Sequence, residues 1–135
     1  MTSIGINDDI GHHLFRNVAD ISFNAITVTC AAGDHGPSEI VYVNDAFTRM
    51  TGYEPDEVLG HTPGMLQGPK TDRAVLDELD LKLARGETFH GQTVNYRKDG
   101  SEFTIEWKVT PVVIDGRVTH YLAVQRDVTN SQVAA

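Results

Sequence analysis

Apolar residues near the start of the chain recur at the spacing of a helix. Within residues 7–20, Ile10, Leu14, Phe15 and Val18 fall on one stripe, a pattern that predicts an amphipathic N-terminal helix. An apolar stripe outside a small domain needs a partner. We therefore expect this helix to pack on the outer face of a sheet or on a second copy of the chain.

The next apolar segments have the period of β-strands. In residues 24–30 apolar side chains alternate with Thr27 and Thr29, and residues 40–43 form a second apolar run. Asn44 follows directly and stands where the N-cap of a short helix is expected.

Short helices are predicted between the second and third strands. Gly52 closes the helix that follows Asn44, and Pro55 begins another. Residues 71–87 predict a longer helix that stops at Gly86. Its apolar stripe consists of Val75, Leu76, Leu79 and Leu83.

The last third of the chain has the pattern of a three-stranded meander. Residues 88–98, 101–113 and 118–128 alternate between apolar and polar, and Asp-Gly dipeptides at 99–100 and 115–116 separate them. With the first two strands, this meander predicts a five-stranded antiparallel sheet in an α+β domain.

Two amides are predicted on the inner face of that sheet. If facing residues of the hairpins stay paired, Asn95 shares its face with Thr93, and Gln125 shares its face with Tyr121. In one interpretation the amides bond to each other, to Thr93, to backbone or to a buried water, because an unpaired buried amide costs about 1–3 kcal/mol. In the other, they bind the polar edge of a flat ligand held against the sheet.

Composition limits the classes of partner and of compartment. The chain has 135 residues, enough for one domain, and a formal net charge of −8. An acidic surface repels phosphate backbones and anionic lipids, so neither nucleic acid nor a membrane is expected as a partner. The one cysteine, Cys30, can form no internal disulfide, and the predicted location is the cytoplasm.

No residue pattern predicts catalysis or a metal centre. His12 and His13 are adjacent, so they point about 100° apart on a helix and make a poor metal pair. The scattered histidines are interpreted as surface or rim residues in preference to haem ligands; they are His35, His61, His90 and His120. Neither a Ser-His-Asp nor a paired-acid arrangement is suggested, so the chain is predicted not to be an enzyme.

Several motifs resemble those of the PAS superfamily and, within it, the LOV (light-oxygen-voltage) branch. They read "YVNDAF", "TGYEPDEVLG", "MLQGPKTD", "NYRKDG" and "AVQRDVT". The resemblance implies a PAS fold, in which the five-stranded antiparallel sheet carries short helices on one face. It divides the chain into an N-terminal helical extension (1–23), a PAS/LOV-like domain (24–129) and a C-terminal tail (130–135).

The resemblance is incomplete where LOV domains carry their reactive cysteine. Their motif is similar to G-x-N-C-R-F-L-Q, and on "GHTPGMLQ" it aligns Pro63 with the cysteine, Thr62 with the asparagine and Gly64 with the arginine. Proline has no nucleophile, so no covalent flavin adduct is expected there. Cys30 is not carried over as a substitute, because a lone cysteine in an apolar alternation is interpreted as a small core residue.

By resemblance, the candidate flavin pocket consists of Asn95, Gln125, Gln67, Thr62 and Ile105. Asn95 matches a ring-contacting asparagine, and Gln125 matches the glutamine that rearranges at the flavin in LOV signalling. Gln67 is retained at the end of the cysteine motif. Ile105 falls where the family has a second asparagine.

The positions that hold the FMN phosphate in LOV domains are also changed. The two arginines correspond to Gly64 and, counted without gaps, to Asp77; Lys70 and Arg73 lie nearby. A carboxylate beside a phosphate is repulsive. Of the three possible flavins, FMN is therefore expected to bind weakly, and riboflavin or FAD better. The acidic residues of this helix, Asp77, Glu78 and Asp80, are interpreted as a solvated face.

The function predicted is that of a sensory PAS domain of LOV-like type without cysteine-adduct photochemistry. Such a domain relays a ligand, redox or light signal through protein–protein contacts. One alternative is a flavin-binding blue-light or redox sensor that works by flavin reduction, and another is a cofactor-free dimerisation module. We expect a homodimer through the N-terminal helix or the sheet, with the output partner on another chain or outside this sequence.

Overall fold

The five strands form one antiparallel sheet in the computed structural model, which describes residues 8–31 and 38–130. The strands are β1 (Ala25–Cys30), β2 (Ile40–Val43), β3 (Phe89–Tyr96), β4 (Glu102–Ile114) and β5 (Arg117–Asp127). Their spatial order is β2-β1-β5-β4-β3. The central strand β5 thus pairs with β1, so the first strand of the sheet lies beside the last.

Four α-helices and one 3₁₀ helix accompany the sheet. They are α1 (Asp8–Ile21), α2 (Asp45–Thr51), α3 (Pro55–Val58), a 3₁₀ helix (Pro63–Leu66) and α4 (Arg73–Ala84). All but α1 are inserted between β2 and β3. The predicted α+β class, five-stranded antiparallel sheet and N-terminal helix are confirmed.

The turns of the meander form as their glycines predict. Gly100 has a φ of 88°, and in the next turn Asp115 and Gly116 have φ of 53° and 77°. A positive φ costs glycine no steric penalty, so these dipeptides reverse the chain at low cost. Each hairpin therefore keeps its facing residues paired, with Thr93 opposite Ile105 and Trp107 opposite Gln125.

The alternation of β1 places its threonines, rather than its larger apolar residues, on the inner face. Thr27 and Thr29 are buried, whereas Val28 and Cys30 between and beyond them are only half-buried. The interpretation of Cys30 as a core residue is therefore wrong. It lies on the outer face because successive side chains of a strand point to opposite sides.

The main apolar cluster lies at one end of the sheet, under α2 and α3. Phe47 of α2 and Ile40 of β2 are each 1% exposed, and Val58 of α3 is fully buried. The cluster as a whole comprises Ala25, Ile40, Val43, Ala46, Phe47, Val58 and Leu66. It fixes the short helices against the sheet by burial of apolar surface.

Asn44 caps α2 as predicted and also joins two other elements. Its Oδ1 accepts hydrogen bonds from the backbone N–H of Phe47 (3.1 Å) and of Ile26 (2.8 Å). Its Nδ2 donates to the carbonyl oxygens of Ala19 (2.7 Å) and Asn24 (3.0 Å). The side chain thus connects the end of α1, the start of β1 and the first turn of α2.

Helix α1 rests on the outer face of the sheet at Tyr42. The ring of Phe15 packs edge-on against the Tyr42 ring at 5.3 Å between centroids, and the guanidinium of Arg16 lies 5.2 Å from it. The Tyr42 hydroxyl donates to Asp20 Oδ1 (2.6 Å). Partial burial and this neighbouring carboxylate raise the pKa of Tyr42 to about 12.

Most of the apolar stripe of α1 remains uncovered. Leu14 and Val18 are 53% and 63% exposed, and Ile21 at the end of the helix is 79% exposed. The contact with Tyr42 therefore uses one edge of the helix and leaves an apolar face toward solvent.

We predict that Asn44→Ala will destabilise the domain by about 2–4 kcal/mol, because it removes a helix cap and leaves buried backbone groups unpaired. Chemical denaturation followed by circular dichroism measures the change. Asn17→Ala, at an exposed position of α1, is the matched control and should change stability by less than about 0.5 kcal/mol. Equal stabilities of the two variants would contradict this role for Asn44.

Candidate functional site

A cavity of about 630 Å³ lies between the inner face of the sheet and the helices inserted after β2. Its walls come from all five strands, from α2 and α4, and from the 3₁₀ helix. The volume is in the range of small-molecule and cofactor sites, about 300–1,000 Å³.

All five residues of the predicted pocket line this cavity. Thr62 and Gln67 flank the 3₁₀ helix, while Asn95, Ile105 and Gln125 lie on β3, β4 and β5. Residues far apart in sequence are thus brought to one surface by the order of the strands.

Gln125 is held in place by a threonine of the neighbouring strand. Its Nε2 donates to Thr27 Oγ1 at 2.6 Å, and the side chain is 6% exposed. The register places Ala25 opposite Gln125, so Thr27 lies two residues along β1 on the same face. The interpretation that Gln125 has an internal partner is therefore correct, although the partner is Thr27 and not Asn95.

Asn95 differs from Gln125 in having no such partner. Its side chain is half-buried at the cavity wall and makes no hydrogen bond with any residue that the structure describes. The nearby hydroxyl of Thr93 is already engaged, because it accepts the backbone N–H of Asp72 at 2.7 Å. The Asn95 amide therefore leaves both a donor and an acceptor available to a molecule in the cavity.

Between the two amides the wall is apolar and partly aromatic. Ile105 and Val109 of β4 are buried, and Trp107 lies between them with its ring 5.0 Å from that of Phe89. Tyr121 of β5 completes this wall. A flat ring system fits such a surface, with its polar edge toward the amides.

The "LQGPKTD" segment is tied to β3 by close packing and hydrogen bonds. A Cβ at Gly68 would lie 2.3 Å from the Tyr96 ring, so only glycine fits there. Lys70 N–H donates to the Tyr96 hydroxyl (3.1 Å), and Thr71 Oγ1 donates to the Val94 carbonyl (2.6 Å). These contacts position Gln67 and the 3₁₀ helix at the cavity.

Pro63, which the motif resemblance aligns with the reactive cysteine, begins the 3₁₀ helix and lines the cavity. Cys30 is not among the residues of the cavity wall. Its neighbour Thr29 does line the cavity, so alternation along β1 directs the Cys30 thiol to the opposite side of the sheet.

The acidic residue of α4 at the cavity is Asp80, not Asp77. Asp77 is exposed and does not line the cavity, whereas Asp80 lies in the wall between Leu79 and Leu83. Asp80 is exposed like Asp77, as expected of a solvated face, but it also borders the cavity, whereas Asp77, expected at the phosphate position, does not. Asp80 follows Leu76 by four residues and so lies on the same face of the helix. This spacing is visible in the sequence and could have indicated that Asp80 lies at the cavity.

Other wall residues were not identified from the sequence as site residues. Thr27 and Thr29 were assigned only to an alternating strand, and Trp107 only to the apolar face of β4. Their position at the cavity depends on which face of the sheet the helices cover, which strand periodicity does not specify.

No metal centre or membrane span is found within residues 8–31 and 38–130. No group of three or more His, Cys, Asp or Glu side chains there is arranged to hold a metal ion. None of the helices described is long and apolar enough to cross a membrane. His35 lies outside the described residues.

Comparison with known families identifies the fold. A profile of the PAS domain matches residues 25–130. The chain belongs to the PAS domain family. Solved structures that it resembles include LOV domains, and this PAS domain is a sensory module of the LOV-like type. Its division at residues 1–23, 24–129 and 130–135 stays a prediction.

The curated relatives of this PAS domain are much longer signalling proteins. The nitrogen fixation regulatory protein of Klebsiella oxytoca is 34% identical over 119 residues, 87% of this chain and 23% of the relative. A blue-light-activated histidine kinase of Brucella abortus is 33% identical over 117 residues, 85% of this chain and 23% of the relative. The chain thus spans about a quarter of the length of either relative.

Two solved structures resemble the PAS domain over nearly its whole length. An RNA-binding light-oxygen-voltage receptor is 33% identical, with a TM-score of 0.80 over 99% of this chain and 40% of that one. A light-oxygen-voltage domain studied with a flavin analogue is 28% identical, with a TM-score of 0.75 over 95% of this chain and 90% of that one.

The described cavity wall contains no cysteine, and its lining is of the kind that accommodates a flat ring system. The apolar wall suits a flat tricyclic ring, and the Asn95 and Gln125 amides supply donors and acceptors for its polar edge. Ile105, where the LOV branch has a second asparagine, removes one such contact. The donor set therefore suits noncovalent binding.

Proposed function

We propose that this PAS domain is a sensory domain that binds a flavin ring noncovalently and relays changes at that ring through protein–protein contacts. The observation that carries the proposal is the unpaired amide of Asn95, which faces a cavity whose other walls are largely apolar. The amide atoms are not sealed from water, and the edge of a ligand in the cavity can take over both the donor and the acceptor.

Gln125 is the residue best placed to transmit a change in the cavity. Its amide can turn to exchange donor and acceptor, and its bond to Thr27 holds it at the junction of β1 and β5. Two residues further along β5, Asp127 forms an ion pair with Arg97, and Arg97 Nε also donates to the Met50 carbonyl at 3.2 Å. A shift at Gln125 thus reaches the end of β5 through short contacts.

A light or redox signal is the form of change that suits a flavin without an adduct. With Pro63 at the cavity and Cys30 on the outer face, the response would come from the flavin's own oxidation state or excited state. A cofactor-free dimerisation module is the second candidate, and the uncovered apolar face of α1 favours it.

We further propose that the domain forms a homodimer through α1. An apolar stripe with three residues more than half exposed is unusual for a monomer, and a second copy of the same helix would cover it symmetrically. The non-catalytic role, the cytoplasmic location and the lack of nucleic-acid and membrane partners stay predictions from the sequence. An output partner on another chain, or outside this sequence, is part of the proposal.

The first prediction concerns ligand binding at Asn95. Apo protein titrated with riboflavin should quench the flavin's fluorescence, and Asn95→Leu should weaken binding about tenfold, since a net hydrogen bond is worth about 1–1.5 kcal/mol. Gln92→Leu, at an exposed position on the opposite face of β3, is the control and should bind like wild type. Absence of binding by wild type would reject the flavin proposal and favour the dimerisation module.

The second prediction concerns blue light. Protein loaded with flavin should form no sulfur–flavin bond on illumination, because the single cysteine lies outside the cavity wall. Intact-protein mass spectrometry and absorption spectra before and after light measure this directly, and Cys30→Ser should respond as wild type does. A reversible bleaching that disappears in Cys30→Ser would prove the assignment wrong.

The third prediction concerns assembly. The double variant Leu14→Glu, Val18→Glu should sediment as a monomer, because two charges would be buried in the proposed helix contact. Asn17→Glu changes an exposed polar position of the same helix and should leave the dimer intact. Sedimentation velocity over a range of concentrations distinguishes the two, and a monomeric wild type at the highest concentration would exclude the dimer.

A further inference from the structure

The charge carried by the described part of the cavity wall is negative, without a positive side chain to balance it. Among the described residues that line it, Asp80 is the one side chain charged at neutral pH, and no lysine, arginine or histidine is present. A bound anion would therefore meet a negative wall without a cation to compensate it.

Asp80 is also not neutralised by a neighbour. Its carboxylate takes part in no ion pair or hydrogen bond with the residues that the structure describes. The apolar residues around it on α4 are Leu76, Leu79, Leu83 and Ala84, all in the cavity wall. Asp80 and Ala84 are exposed, so water and salt screen this charge, and its effect on a ligand at the cavity is strongest at low ionic strength.

The cations nearest in sequence have partners elsewhere. Lys70 pairs with Glu102 at 3.2 Å, and Lys82 pairs with Glu87 at 3.6 Å. Arg73 Nη1 donates at 3.3 Å to Oε1 of Gln67, a residue of the cavity wall. None of the three is among the lining residues.

Gly64 also contributes no positive charge to the cavity wall. It lines the cavity beside Pro63, and a Cβ there would contact only Thr62 Oγ1, at 3.4 Å. There is room for a larger side chain, but glycine supplies neither a charge nor a side-chain donor. The helical side of the cavity thus offers a carboxylate and the uncharged donors of Thr62 and Gln67, but no cationic side chain among the described lining residues.

We propose that the cavity selects a flavin whose side chain is uncharged, such as riboflavin, over its phosphorylated forms, and that Asp80 is the residue that discriminates between them. The inference rests on the proposed function, because it assumes that the amides hold the ring on the sheet side and leave the helical side for the rest of the ligand. A phosphate there carries about two negative charges and is repelled by the Asp80 carboxylate. FAD carries its phosphates on the same side chain, so, in contrast to the expectation from the sequence, it is disfavoured for the same reason.

The test is a fluorescence titration of apo protein with lumiflavin, riboflavin, FMN and FAD at low and high salt. Riboflavin should bind at least about tenfold more tightly than FMN at low salt, the size expected for a carboxylate facing a doubly charged phosphate within several ångströms. High salt should bring the ratio of the riboflavin and FMN affinities closer to one, because screening weakens the repulsion. Lumiflavin, which has no ribityl chain, reports on the ring alone.

Variants of two acidic residues of α4 distinguish an effect of Asp80 itself from an effect of the overall negative charge. Asp80→Asn should bring the riboflavin-to-FMN affinity ratio close to one, and Asp80→Arg should reverse the preference. Asp77→Asn removes the same charge from an exposed position outside the cavity wall and should leave the ratio unchanged. Thermal shift by each ligand gives a second readout that does not depend on quenching.

The outcomes distinguish this inference from the proposed function. If flavins bind but FMN binds as tightly as riboflavin, or if Asp77→Asn changes the ratio as much as Asp80→Asn does, the role of Asp80 is rejected while the flavin site stands. If neither lumiflavin nor riboflavin binds to a folded wild type, the flavin site itself is rejected, and the inference with it.

Discussion

The buried amide of Asn44 fixes how three elements of this PAS domain meet. It is 1% exposed and uses both ends of its side chain, accepting from β1 and α2 and donating to the carbonyl oxygens of Ala19 and Asn24. Because buried polar groups are paired in native structures, these four hydrogen bonds favour the observed arrangement of the three segments. The position of β1 beside β5 follows from this, and with it the contact between Thr27 and Gln125 that shapes one side of the cavity.

The cavity combines a satisfied amide with an unsatisfied one. Gln125 is anchored by Thr27, whereas Asn95 has no partner among the described residues. An anchored group can report a change by rearranging a bond that it already has, and an unpartnered group gains a bond only when a ligand arrives. Together with Asp80 on the helical side, this pattern gives the two ends of the cavity different chemistry, with polar recognition at the sheet and negative charge at α4.

Much of the fold could be predicted because local rules act within a few residues. The Asp-Gly turns, the Asn44 cap and the Gly52 stop each depend on a backbone geometry that particular residues favour. The site was predicted less completely. Family motifs gave its five residues, but they placed the acidic residue at Asp77, since counting along a helix without its neighbours does not show which of two exposed carboxylates borders the cavity. They also gave no partner for Gln125, because Thr27 is 98 residues away in sequence.

The sequence by itself determined the period of every strand, the ends of the helices and the loss of a nucleophile at Pro63, since each is a property of a residue and its immediate neighbours. Tertiary structure decided which face of each element became interior. In β1 the threonines face the cavity, and Ile26, Val28 and Cys30 face outward. A strand has two faces of equal periodicity, and only the helices that cover one of them make that face the inside. For the same reason the placement of Asp80 at the cavity wall depends on the packing of α4 against β3.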